Sequence, residues 1–232
     1  MLKLENVVLQ KGTFSLSAEV AFAKGSKTAI IGPSGAGKST FLDGVSGFLP
    51  VASGQISWDG REITGLKPSD RPMSILFQSH NLFAHLSIWD NVALGLRPNM
   101  RLSEEEREKV SSVLMQVGLA GFELRKPGEV SGGQQSRAAL ARILVQDRPI
   151  VLLDEPFSAL GPALKSEMLS LVETLIGVQK TLLMVTHDPE DAREICDHVL
   201  FVDEGRASEV LPVAALNSAE HVKLAQYLGR NA

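Results

Sequence analysis

Cysteine is almost missing: Cys196 stands alone in 232 residues. An internal disulfide framework is therefore excluded, and a reducing compartment is the expected setting. Long hydrophobic runs are missing too. No stretch approaches the roughly 18 uninterrupted apolar residues of a spanning helix, and the opening MLKLENVVLQKG has no apolar core of signal-peptide length. If the protein serves a membrane, it is expected to do so from outside the bilayer. Nor is positive charge in excess. The formal net charge is −4, and the longest charged cluster, 104–109, mixes both signs, which argues against the basic face of a dedicated nucleic-acid binder. Internal repeats, heptad arrays and low-complexity linkers do not occur. What is present is a chain 44% hydrophobic, enough for a sizeable core and expected to form one domain with internal lobes.

Residues 13–20 (TFSLSAEV) put Phe14, Leu16, Ala18 and Val20 on alternate positions, the period of a half-buried strand, so the N-terminal part is predicted to be antiparallel sheet. The short apolar runs 28–31, 150–153 and 182–185 suit strands buried on both faces of a parallel sheet. Between 78 and 146 the pattern turns helical. Ser103 with Glu106 makes a capping box, and Val110, Val113, Leu114 and Val117 follow at helical spacing. The expected organisation is a single domain over 1–232, with an α/β core and β lobe from 1–78 and 147–232 and an inserted helical lobe from 79–146. Pro162 predicts another helix with Leu164, Met168, Leu171, Val172 and Leu175 on its buried face. Ser218 is expected to cap a last helix carrying Val222, Ala225 and Leu228.

Residues 32–40 read GPSGAGKST, the P-loop pattern GxxxxGK[ST], directly after the apolar run 28–31 and ahead of a helix-forming segment. Gly32, Pro33, Ser34, Gly35, Ala36, Gly37, Lys38, Ser39 and Thr40 are thus the candidate phosphate loop. Its glycines let backbone N–H groups curl around phosphate oxygens, and the helix that follows points its positive end at the same anion. Lys38 would add a full charge at the β- and γ-phosphates, and Ser39 a hydroxyl for magnesium.

The segment 150–155 reads IVLLDE, a buried strand with two adjacent carboxylates at its C-terminal end, where ligands of open parallel sheets collect. Neighbouring side chains on a strand point opposite ways, so the two can differ in role. Asp154 fits magnesium binding, directly or through water, and Glu155 fits polarising a water that attacks the γ-phosphate. Alone such a strand end is common; beside a P-loop it becomes specific. Residues 130–134 read VSGGQ ahead of the helix-forming QSRAALARIL, so Ser131 can cap that helix while Gly132 and Gly133 expose N–H groups at its positive end, a second phosphate-binding surface. In isolation that stretch would read as an ordinary helix cap.

The P-loop, the SGGQ helix start and the apolar-DE strand, in that order with a helical stretch between the first two, resemble the nucleotide-binding subunits of ABC transporters over essentially the whole chain. The resemblance implies an α/β fold, a P-loop NTPase core of the ABC type with an N-terminal antiparallel β lobe and an inserted α-helical lobe that includes the signature. Gln78 in ILFQ is similar to the family's Q-loop glutamine, which would bind magnesium or water and report nucleotide state. VSGGQ is similar to the LSGGQ signature with Val130 for leucine, which adds Gln134 to the nucleotide contacts of Ser131, Gly132 and Gly133. His187 in VTHD is similar to the switch histidine that contacts the γ-phosphate. The implied cofactors are ATP and Mg2+, with Ser39, Gln78 and Asp154 at the metal and Glu155, His187 and Lys38 in catalysis. In that family two subunits pack head to tail, each ATP lying between one P-loop and the other chain's signature. The implied partners are a second copy of the chain, membrane-spanning permease subunits and, indirectly, a periplasmic solute-binding protein, with no nucleic acid. The implied location is the cytoplasmic face of the bacterial inner membrane.

The pattern breaks in two places. The family's SALD turn here reads SALG at 158–161, so Gly161 removes a carboxylate and adds backbone freedom, and slower hydrolysis or weaker coupling between subunits is expected. The aromatic that usually stacks on adenine has no counterpart near 9–11. Phe14 is the nearest ring, and its place in the strand alternation makes it a core residue by expectation. His80 and His85 are expected on the surface of the helical lobe, where a membrane partner would dock. Phe77, Leu82, Phe83, Leu86 and Trp89 are expected mostly in the core, some lining that groove. His198 and His221 carry no signal.

Segments such as RPMSILFQSHNLFAHLSIWDNVALGL and TLLMVTHDPEDA look most like the ATPases of bacterial thiamine importers. Polyamine, iron and other anion importers share much of this, and nothing in such a motor touches the solute. With the sequence ending soon after Arg206, no added regulatory domain is expected. A soluble ABC ATPase acting on nucleic acid or ribosomes would bring coiled-coil insertions, a second cassette or a basic face. A small-molecule kinase would explain GPSGAGKST but has no use for VSGGQ.

Overall fold

The computed structural model of the protein describes residues 1–78, 82–218 and 220–229. Its strands are β1 (Leu2–Lys11), β2 (Phe14–Phe22), β3 (Lys27–Ile31), β4 (Val51–Trp58), β5 (Arg61–Glu62), β6 (Met73–Leu76), β7 (Ile150–Asp154), β8 (Thr181–Val185), β9 (His198–Asp203) and β10 (Arg206–Pro212). They form one ten-stranded sheet in the order β5-β4-β1-β2-β10-β9-β3-β8-β7-β6. The two predicted strand types occupy opposite ends of it. At one end β5, β4, β1 and β2 pair antiparallel; at the other β9, β3, β8, β7 and β6 run parallel. β10 joins them, antiparallel to β9 and parallel to β2 through Arg206 opposite Ser17 and Ala207 opposite Ala18. Every residue of β8 is buried, as are the last four of β3 and the first four of β7. That is what apolar runs without alternation require of strands covered on both faces.

The helices are α1 (Lys38–Ser46), α2 (Ile88–Ala93), α3 (Glu104–Gln116), α4 (Gly132–Leu144), α5 (Pro162–Ile176), α6 (Pro189–Ile195) and α7 (Val222–Tyr227). α3 starts where Ser103 and Glu106 close their reciprocal cap, and Val110, Val113, Leu114 and Val117 are buried. α4 faces two ways. Ala139, Leu140 and Ile143 pack with the parallel strands, while Ala138, Ala141 and Val145 pack with α2 and α3. The helical segment is thereby tied to the core by shared apolar surface.

Several local expectations need correction. In α5 the most buried residues are Met168, Leu169, Val172 and Ile176, whereas Leu164, Leu171 and Leu175 are half-buried. Leu171 and Leu175 lie between two apolar clusters and belong fully to neither, so the sheet-facing row is rotated from the expected one. Burying that row contributes about 1.5–3 kcal/mol per side chain. Ser218 does not cap α7, which begins after His221 with no side-chain cap. The Ser218 hydroxyl accepts instead from the Glu220 amide in the preceding turn, Val222 is exposed, and Leu224 joins Ala225 in the core. Phe83 and His85 are exposed, and Phe77, Leu82, Leu86 and Trp89 are half-buried, so that cluster supplies no fully buried side chain. His80 lies outside the described residues. His198, for which no role was expected, opens β9 half-buried, and its Nδ1 has no hydrogen-bond partner.

One buried cation organises the helix that follows the P-loop. Arg71 is 1% exposed. Its guanidinium donates to the carbonyls of Gly44 (2.9 Å) and Val45 (2.5 Å) in α1, and to those of Thr64 (2.7 Å) and Leu66 (3.2 Å). It thus sits at the negative end of α1, where carbonyls lack intrahelical partners and a cation is favoured.

Candidate functional site

β3 delivers the chain into the loop 32–37, and α1 carries it away at Lys38. Gly32 is forced by close approach: a Cβ there would lie 1.9 Å from the Val202 carbonyl oxygen of β9. Gly37, at φ 107°, is the left-handed residue that turns the loop into α1, and a Cβ on it would strike Leu16 and Phe14.

Lys38 is 8% exposed. Its ammonium donates to the carbonyls of Gly32 (2.8 Å) and Pro33 (3.0 Å). Burial pulls its pKa below the ordinary lysine value, and the charges of Glu155 and Asp154 oppose that shift. At the end of β7 the two acids part company. Asp154 turns toward α1, where it accepts from the Ser39 hydroxyl at 3.3 Å. Its pKa is raised, chiefly by burial; the bond from Ser39 works against that, and the nearby charges of Glu155 and Asp43 add to it. A buried carboxylate held in that state favours a cation beside it.

Glu155 has φ 44°, in the left-handed region that side chains seldom occupy. Neighbours hold it there. Its amide donates to the Val185 carbonyl of β8, and its own carbonyl accepts from the Ser158 amide and hydroxyl. The turned side chain meets two residues far away in sequence: Gln78 Nε2 lies 3.4 Å and His187 Nδ1 3.6 Å from Glu155 Oε2. Both come from strand ends, Gln78 just after β6 and His187 just after β8.

Lys38, Ser39 and Glu155 line a cleft of about 300 Å³ together with Lys11, Phe14 and Ser34, among others. A larger shallow groove of about 690 Å³ along β1, β2 and β10 contains no P-loop residue and neither Asp154 nor Glu155, so volume does not locate the chemistry here. Phe14 meets its expectation in part. It packs against the core cluster, but it is only half-buried, and its ring edge reaches Gly37 at the cleft. Ser131, Gly132, Gly133 and Gln134 do not line this cleft. They form the start of α4, where Ser131 Oγ accepts from the Gln134 amide and Gln134 Oε1 from the Ser131 amide. The Gln134 side chain is therefore occupied in the helix cap. A Cβ on Gly133 would meet Leu164 at 2.8 Å, so this glycine seats α4 against α5.

Sequence reasoning missed Tyr227. Its hydroxyl faces the backbone of Gly32, the first P-loop residue; burial raises its pKa, and the Gly32 backbone opposes that shift. The ring packs on Phe201, centroids 5.7 Å apart. A lone tyrosine nine residues beyond the last predicted cap gave no motif to find. Cys196 is no candidate nucleophile, since burial pushes its thiol up to about 12.

The residues around the cleft are oxygen-rich, and among the described residues no group of three or more His, Cys, Asp or Glu could hold a metal ion by itself. Ser39 and Asp154 offer the few hard donors that magnesium takes from protein when phosphate and water supply the rest. The donor set fits that ion.

A parallel sheet with a P-loop at one strand end and a carboxylate pair at another defines a P-loop nucleoside triphosphatase. A model of the ABC transporter family matches residues 17–158, and the chain belongs to that family as an ATP-binding, ATP-hydrolysing subunit. It is 50% identical over 230 residues to the thiamine import ATP-binding protein ThiQ of Ruegeria sp. (strain TM1040), covering 99% of this chain and 100% of that one. It is 51% identical to ThiQ of Jannaschia sp. (strain CCS1), covering 96% and 99%. Among solved structures it resembles the ATP-binding cassette MJ0796, a dimer in a post-hydrolysis state bound to ADP and Pi, with a TM-score of 0.78, 30% identity, and 92% and 99% of the two chains covered. No helix among the described residues is long and apolar enough to cross a membrane.

Proposed function

We propose that the protein is the motor of an importer that carries thiamine across the bacterial inner membrane, working as a head-to-tail homodimer on the cytoplasmic face beneath membrane-spanning permease subunits, with a periplasmic binding protein delivering solute to them. The observation that carries the chemistry is the meeting of Gln78 and His187 on one oxygen of Glu155, across from the P-loop lysine.

Residues 32–40 wrap the phosphates with backbone amides, and Lys38 leaves its loop carbonyls to reach the β- and γ-phosphates. Ser39 and Asp154 would hold magnesium, with Gln78 at its edge; the ion supplies charge neutralisation on the phosphate oxygens. Glu155 takes a proton from the attacking water as its oxygen bonds to the γ-phosphorus. The bond from that phosphorus to the bridging oxygen breaks, and ADP leaves with the electron pair. His187 donates to a γ-phosphate oxygen, and the start of α4 from the opposite subunit closes over the same group, Ser131 and the amides of Gly132 and Gly133 facing it. The 79–146 segment is the lobe that moves with nucleotide, and 1–78 with 147–232 the core it moves against. Phe14, at the cleft, is the ring available to adenine.

Gly161 caps α5 with no side-chain bond, at φ −66° and ψ 157°, and an added Cβ there would meet nothing within 4 Å. The position thus has no need of glycine. Gly161→Asp is expected to fold normally and to raise ATPase turnover by roughly fivefold, the equivalent of one regained hydrogen bond of about 1 kcal/mol. An unchanged rate would show that the missing carboxylate does not damp this motor.

The cargo rests on the two half-identical relatives, both named for thiamine import, which span nearly the whole chain. Its test is uptake of labelled thiamine by cells that lack this gene and any second thiamine route, complemented with wild type or Lys38→Ala. Uptake restored by wild type alone supports the proposal. Uptake that survives deletion moves the cargo to another solute, such as a polyamine or iron.

A further inference from the structure

α5 begins immediately after the turn 158–161, and Lys165 lies in its first turn. The Lys165 ammonium sits 2.5 Å from Asp188 Oδ2 and 2.6 Å from Asp191 Oδ1. Burial disfavours its charge, yet the bonds it donates to the two aspartates prevail and its pKa is raised; the same contact holds Asp188 below the ordinary aspartate value. The aspartates in turn hold the segment that carries His187. Asp191 Oδ2 accepts from the Thr186 hydroxyl at 2.6 Å, and that hydroxyl accepts from the Asp188 amide at 3.0 Å. Asp188 also caps α6 by accepting from the Glu190 amide. Both neighbours of His187 are thereby fixed in one network whose cation comes from α5. The His187 side chain itself stays 61% exposed, while those of Lys165 and Asp191 are 21% and 12% exposed. Such screening from water is where charge-assisted bonds retain their strength.

A small cavity of about 110 Å³ shows what this network adjoins. Its walls include Glu155, Ser158, Lys165, Thr186, His187 and Asp191. The 158–161 turn, the catalytic-glutamate candidate and the histidine turn therefore share one space, and Lys165 spans from the first to the last. We propose that Lys165 is a positioning residue. It clamps the His187 turn to the start of α5, so that a displacement of the 158–161 turn is transmitted to His187 and hence to γ-phosphate contact. This rests on the reading of His187 given above. Ser166, the next residue, also links α5 to α6, through its hydroxyl to Glu194 at 2.7 Å, but does not line the cavity beside His187, which makes it the control.

The test is steady-state ATPase kinetics on the purified full chain. Lys165→Met is expected to lower kcat by roughly tenfold or more, the scale of a lost charge-assisted hydrogen bond, and to leave the KM for ATP within about twofold. Lys165→Arg should restore most of kcat, and Ser166→Ala should match wild type. Asp191→Asn, which keeps the side-chain shape, should reproduce the kcat loss if Lys165→Met cannot be purified. In a His187→Ala background, Lys165→Met should cause no further loss. Wild-type kcat in Lys165→Met or Asp191→Asn, an equal loss in Ser166→Ala, or an additive loss in the double variant would overturn the clamp. A fully active His187→Ala would instead remove His187 from the reaction, a failure of the underlying reading that the single variants reveal separately.

Discussion

Glu155→Gln is expected to bind ATP with close to wild-type affinity while losing hydrolysis by about 100- to 10,000-fold, the range for removal of a positioned general base. The amide keeps the size and the backbone of the glutamate, and the bonds that hold φ at 44° run through the amide and carbonyl rather than the side chain. The fold of the turn should survive. What goes is a carboxylate oxygen able to take a proton from water, the oxygen near which Gln78 and His187 both lie. Phosphate release under saturating ATP, set beside equilibrium nucleotide binding, separates the two effects. Turnover within a few fold of wild type would remove Glu155 from the role.

The second large effect is expected at Lys38. In this structure its ammonium bonds to the Gly32 and Pro33 carbonyls, so Lys38→Ala strips two loop acceptors of their donor and, on the proposed function, is expected to remove a phosphate contact as well. A hydrogen bond involving a charged group contributes about 1.5–3 kcal/mol, which corresponds to roughly 10- to 150-fold in ATP affinity. Thermal melting without nucleotide would register the loss of the loop bonds; calorimetric titration with ATP would register the loss of the phosphate contact. Glu155→Gln and Lys38→Ala thus fail in opposite ways, one after binding and one before it. Tight ATP binding by Lys38→Ala would contradict the P-loop assignment.

The P-loop was legible because its chemistry is contiguous: nine residues in a row carry the turn, the charge and the hydroxyl. The parallel strands were legible for a similar reason, since burial on both faces leaves an uninterrupted apolar run. Gln78 and His187 carry no such local mark. Only the resemblance singled them out, and the strand order that brings β6, β7 and β8 side by side explains how they come to face Glu155. What escaped was set by tertiary context. Alternation places Phe14 on the inner face of β2 but does not say that the strand starts beside Gly37, where the ring meets the phosphate loop. Helical spacing finds the apolar side of α5 but not which part faces the sheet, because apolar clusters lie on two sides. A six-residue α7 after a turn leaves too few positions to fix its register, hence the misplaced cap at Ser218 and the unrecognised contact of Tyr227 with Gly32.

The choice of arginine at position 71 bears on how the nucleotide bed responds to acidity. Burial lowers the pKa of Arg71, yet a guanidinium begins so high that it stays protonated throughout the physiological range. A lysine in the same enclosure would be far more easily emptied of its proton, and its single nitrogen could not reach four carbonyls on two segments at once. The helix behind the phosphate loop therefore rests on a charge that does not titrate in the physiological range, so a change of acidity leaves this part of the scaffold in place.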